Sequence, residues 1–134
     1  MDYVYEAAVM HYITRMGDTF LCPQFPIKNE EGKPWSEPDF VALNFVQKTI
    51  AIVEVSSASD IGSLKKKVTN RDNQWITLLK VQLVRLEPSI QNWPVVVRIF
   101  VREANLSKFG KLIGDSTVFA ESLEGVMCNW KWDW

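Results

Sequence analysis

Asp39 follows Pro38 at the head of the apolar segment Phe40-Val41-Ala42-Leu43-Asn44-Phe45, and Glu54 stands near the end of the next, Thr49-Ile50-Ala51-Ile52-Val53-Glu54-Val55. Only Val46-Gln47-Lys48 joins them, and so short a link makes the two segments antiparallel neighbours. The two carboxylates then lie on adjacent strands. Acids buried at such positions are costly unless they meet a cation, so the spacing predicts a site for a divalent metal ion.

The elements that must position these acids are read from periodicity. Tyr5, Ala8, Val9, Tyr12, Ile13 and Met16 recur at helical spacing and Gly17 supplies a stop, which predicts an amphipathic helix over residues 2–16. Residues 19–25 read as a short strand closed by Pro23 and Pro26, and the polar stretch 28–34 as an exposed loop. After Glu54, the cluster Ser56-Ser57-Ala58-Ser59-Asp60 is rich in helix caps. Ile61, Leu64, Val68, Trp75, Leu79, Leu83 and Leu86 then fall on one helical stripe ending before Pro88. Trp75 is assigned to the core. Residues 93–101 are nearly continuously apolar and β-branched, the mark of a central strand, and Thr117-Val118-Phe119-Ala120 could add a fifth. The order is helix, three strands, helix, strand, an α/β sandwich with a crossover before its last main strand.

The chain of 134 residues is 47% hydrophobic, enough for one domain and too little for two. No apolar run approaches the ~20 residues of a membrane span, and Asp2, Glu6 and Arg15 interrupt the first helix, which argues for a cytoplasmic protein. Cys22 and Cys128 are far apart and form no metal-ligand cluster, so they are expected to be reduced thiols. A net charge of −1 and a pI near 5.8 exclude recognition of nucleic acid by overall charge. Any such binding must rest on a local patch, and Lys65-Lys66-Lys67 with Arg71 is the one concentrated patch.

Pro-Asp opening the second strand, Glu near the end of the third and the αβββαβ order resemble the PD-(D/E)xK nuclease superfamily. Over residues 5–101 the chain is similar to archaeal Holliday-junction resolvases, which also place a Glu on the first helix; Glu6 stands at the matching position. The resemblance implies a restriction-endonuclease-like core, a mixed sheet flanked by helices, and a Mg²⁺-dependent endodeoxyribonuclease acting on DNA, with RNA left open. Asp39, Glu54, a main-chain carbonyl near Val55 and waters would ligate Mg²⁺ or Mn²⁺, and Glu6 would add a ligand or hold a water.

The pattern is broken at one place. The superfamily writes Glu-x-Lys where this chain has Glu54-Val55-Ser56. A serine hydroxyl carries no charge to stabilise a phosphate, so the lysine must come from elsewhere, and some lineages carry it on the following helix. Lys67 is preferred there because it aligns with Arg71 and Gln74 at i, i+4 and i+7; Lys65 comes second, and Lys66 points away from the apolar stripe. Ser36, beside Trp35 ahead of the Pro-Asp strand, is expected to touch the substrate backbone, and Arg71 and Gln74 to line the site.

Trp130, Trp132 and Trp134 alternate with polar residues, placing three indoles on one side of an extended segment. They would pack on the chain's own sheet, form a homodimer interface or, third, stack on bases. Two functions follow: a metal-dependent nuclease, favoured by the three acids, or a catalytically inactive nuclease-fold module binding nucleic acid or a protein partner, favoured by Ser56 and the acidic pI.

Overall fold

A computed structural model describes residues 3–128. The Trp130, Trp132 and Trp134 row lies outside the described residues. Helix α1 (Tyr3–Thr14) buries Ala8, Val9 and Ile13. Gly17 ends it with φ of 73°, a conformation side chains with a Cβ resist, and donates to the Thr14 carbonyl at 3.0 Å. Strand β1 (Thr19–Pro23) follows, then a small ribbon of β2 (Ile27–Lys28) and β3 (Pro34–Ser36), then β4 (Phe40–Asn44) and β5 (Thr49–Ser56). The ribbon stands where the sequence predicts only an exposed loop. Asn29 Oδ1 closes its turn by accepting from the Glu31 and Lys33 amides, and Gln82 of a distant helix binds its backbone at Lys28.

The long helix predicted after Glu54 exists in pieces. Helix α2 (Gly62–Thr69) stops at Asn70, whose φ of −100° and ψ of 27° leave the helical region. A π-helical segment (Asp72–Ile76) continues into α3 (Thr77–Leu86). Strand β6 (Val95–Val101), a 3₁₀ stretch (Glu103–Phe109), α4 (Gly110–Ile113), β7 (Val118–Ser122) and α5 (Leu123–Cys128) complete the described chain. The predicted fifth strand is β7; α5 was not foreseen.

Five strands form one mixed sheet in the order β1-β4-β5-β6-β7. β1 and β5 run antiparallel to β4, while β6 is parallel to β5 and β7 to β6, as a helical crossover from β5 requires. Alternation sorts the side chains. Phe40, Ala42, Ala51, Val53 and Phe100 meet α1 and α5 on one face, whereas Val41, Ile50, Ile52, Val97 and Ile99 meet Val68, Trp75 and Leu79 on the other. Ile50 through Val53 are all buried, at about 1.5–3 kcal/mol for each large apolar side chain. Slipping β5 by one residue would invert both faces, so the register is fixed, and with it the direction in which Glu54 points. No helix among the described residues is long and apolar enough to cross a membrane.

Candidate functional site

Register brings the two acids together. Phe40 pairs with Val53 across β4 and β5, so the next step outward sets Asp39 opposite Glu54. Alternation turns both toward the α2 face of the sheet. Asp39 is pinned there: its Oδ2 accepts from the Val55 amide at 2.7 Å, its own amide faces Glu54 Oε2 at 3.4 Å, and its carbonyl accepts from the Gln24 amide at 2.8 Å. Both carboxylates are half-buried.

They line a cleft of about 270 Å³ with Ser56, Asp60, Ser63 and Lys67. Burial first, then the hydrogen bond between the two carboxyl groups and the repulsion of Asp39, push the Glu54 pKa up to about 8; the Lys67 charge and the Asp39 amide act the other way. Without a cation, the cleft therefore holds a proton at neutral pH. Its donors fit a hard divalent ion, since Mg²⁺ commonly takes one or two carboxylates and fills its shell with water and substrate phosphate.

Lys67 is thus brought to the acids from α2. Lys65 and Lys66 are exposed and do not line the cleft. Glu6 is half-buried on α1, which packs on the opposite face of the sheet from Glu54, and it is not among the cleft residues. Among the described residues no three His, Cys, Asp or Glu side chains gather in a group able to hold a metal, so the third ligand expected of Glu6 is not assembled. Ser56 Oγ accepts from the Ala58 amide at 3.3 Å and Asp60 Oδ1 from the Gly62 amide at 2.9 Å; the N-cap of α2 is Ile61, one residue beyond Asp60, and no side chain caps it.

The other three predicted contact residues sit elsewhere. Ser36 Oγ accepts from Gln74 Nε2 and from the indole of fully buried Trp75, both at 3.2 Å, so Ser36 and Gln74 bind each other inside the fold. Arg71 pairs with Asp115 and caps the Val68 carbonyl, at a hollow bounded by Val95 and Thr117. Val95 is level with Ile50 and Glu54 with Ile99, so Arg71 lies at the far end of the sheet. Positions i+4 and i+7 also lie about one and two turns further along the helix axis than Lys67, and α2 ends at Asn70 before a π-helical segment, so the alignment of Lys67 with Arg71 and Gln74 is not kept.

A wider hollow of about 300 Å³ opens on the α1 face beside Ala51, Val96 and Phe119, but its charged residues, Arg98 and Glu121, neutralise each other at 3.0 Å. Sequence reasoning passed over Arg102, which lies just beyond the end of β6 at the same edge of the sheet as the acids. As a lone cation between an apolar strand and a polar turn, it gave no periodic or motif signal. No protein-family model matches this chain, and no curated protein matches it.

Proposed function

We propose that this chain is a metal-dependent nuclease that hydrolyses DNA phosphodiester bonds, on the restriction-endonuclease-like form of the α/β architecture. One observation carries the reading: Asp39 just ahead of β4, Glu54 on β5 and Lys67 on α2 line a single cleft. The strand order supports it, because the acid-bearing antiparallel pair β4–β5 is followed through a helix by parallel β6, the arrangement the PD-(D/E)xK resemblance implies.

Asp39 and Glu54 would hold Mg²⁺ or Mn²⁺. When bound, such an ion supplies Lewis acidity toward a phosphate oxygen and acidifies a water. The remaining work belongs to the protein. The Val55 amide occupies one oxygen of Asp39 and fixes its orientation, leaving the second for a ligand. Glu54 would hold such an ion as its carboxylate, without the proton it keeps in the free cleft. Lys67 presents an ammonium to the phosphate in the role that Ser56 cannot fill. No histidine and no covalent intermediate are needed.

The test is cleavage of labelled duplex and single-stranded DNA, and of RNA, by the full chain with Mg²⁺ or Mn²⁺ and with chelator. Metal-dependent DNA cleavage lost in Asp39→Ala and Glu54→Ala is the expected result. Binding without cleavage under all metals would replace the enzyme by the inactive nuclease-fold module, for which Ser56 and the absence of Glu6 from the cleft already speak.

A further inference from the structure

Three consecutive strands meet at the edge that carries the cleft: Asp39 precedes β4, Glu54 is near the end of β5, and Arg102 follows the last residue of β6. Val97, Ile99 and Val101 face α2 and α3, and Phe100 faces α1, so alternation turns Arg102 to the α1 face. There its guanidinium lies 5.6 Å from the ring of Tyr5, and its Nε donates to the Ser57 carbonyl at 3.3 Å. Ser57 follows the cleft residue Ser56 directly.

Both partners are neutral. An aromatic face and a carbonyl orient a guanidinium without cancelling its charge. Among the described residues Arg102 forms no salt bridge, in contrast to Arg71 and Arg98, each of which has its carboxylate. Its Nη1 and Nη2 groups remain for an external acceptor with the fork geometry that suits phosphate. Lys67 reaches the same edge from the α2 face, so the two cations flank the acids from opposite sides of the sheet.

We infer that Arg102 binds a phosphate next to the scissile one, so that the substrate is a polynucleotide strand crossing the sheet edge from the α2 face to the α1 face. The inference rests on the nuclease reading and deepens it. Arg102 is three residues beyond the level of Glu54 and one strand over, a backbone separation of ~11 Å, too far to serve the reacting phosphate and suited to its neighbour along the chain.

The experiment compares the full chain with Arg102→Ala, Arg102→Gln and Arg102→Lys. Binding of a labelled DNA strand and duplex is followed by anisotropy in chelator over a range of salt, and cleavage is followed separately with Mg²⁺. Arg102→Ala and Arg102→Gln should weaken binding roughly tenfold or more and lower the slope of log K against log salt by about one, raising KM with kcat unchanged. Arg102→Lys should keep the slope. Arg102→Gln retains a donor for the Ser57 carbonyl, so a merely structural arginine would show wild-type binding in that variant. Unchanged affinity and slope in the Ala and Gln variants, while the parent still cleaves, would overturn this inference alone. A parent that neither binds nor cleaves any polynucleotide would overturn it together with the nuclease reading.

Discussion

The two ends of the sheet hold similar charged residues and treat them in opposite ways. At the far end, Arg71 meets Asp115, the Asp115 carboxylate also accepts from the Thr117 amide and hydroxyl, and Lys80 donates to the Trp93 carbonyl. Arg71, Asp115 and Lys80 each have an internal partner there. The Asp115 pKa is accordingly held below the usual carboxylate range by those Thr117 bonds and, after them, by Arg71. At the near end, two carboxylates stand opposite one another, like charges on adjacent strands, and Glu54 moves the other way, up to about 8. Lys67 and Arg102 form no salt bridge among the described residues. The far end pairs Arg71 and Asp115 within the fold, whereas the near end sets two carboxylates face to face beside a lysine that forms no salt bridge among the described residues.

That contrast is sharpened most by removing the acids. Asp39→Ala and Glu54→Ala should each lower cleavage by more than the ~10²–10³ typical of losing one preorganised donor, while circular dichroism stays native; Asp39→Ala also strips the Val55 amide of its acceptor, so its melting temperature should fall. Above the folded pKa of Glu54 its removal relieves the repulsion between facing carboxylates, whereas at neutral pH it removes the proton shared with Asp39, so Glu54→Ala should cost less stability at high pH than at neutral pH, and the reverse order would break the comparison.

Lys67→Ala comes next, with an expected loss in kcat of ~10²–10³ that Ser56→Lys partly restores. Lys66→Ala, removing the same charge from outside the cleft, should weaken binding slightly and leave kcat alone. Equal losses at positions 66 and 67 would make the lysine run a diffuse basic patch. The opposite pattern is expected at the far end: Arg71→Ala should lower the melting temperature by several degrees and leave kcat at the parent value, because the ion pair it breaks is structural.

The smallest effect is in pH. Glu54 binds its proton more tightly in the folded chain than in the unfolded one, so between about pH 4.5 and 8 the native state holds the extra proton. The stability it contributes is fully present at the acidic end of this window and is lost as pH rises through the folded value. Thermal melts in chelator should show the parent losing stability across that window relative to Glu54→Gln, which keeps hydrogen bonds without the charge. The apparent affinity for Mn²⁺ should rise over the same range, since the ion competes with the proton. Parallel stability profiles for parent and Glu54→Gln would remove the coupled carboxylates from the account.

How far the sequence reveals this arrangement depends on how local its causes are. The acids were legible because a three-residue link dictates antiparallel pairing and a period of two dictates the face. Lys67 was preferred for an alignment with Arg71 and Gln74 that does not survive the break at Asn70; it lines the cleft, and Lys65 and Lys66 do not, because of its own place on α2. Arg71 and Gln74 were misread because the regularity of α2 was extended through Asn70, where a break and a π-helical turn change the phase, and nothing in a single sequence marks such a turn. Glu6 was legible as a helix residue, but the side of the sheet on which α1 packs is a tertiary outcome. The β2–β3 ribbon depends on contacts with Gln82, 54 residues from Lys28, and is invisible to local propensity for that reason.

We propose that Asp39 and Glu54 form a cation site facing Lys67. Anomalous diffraction from a crystal soaked in Mn²⁺ tests it most directly. One strong peak between the two carboxylates, lost in Asp39→Ala, is expected. A peak at Asp115 or another surface carboxylate, with none between Asp39 and Glu54, would contradict it.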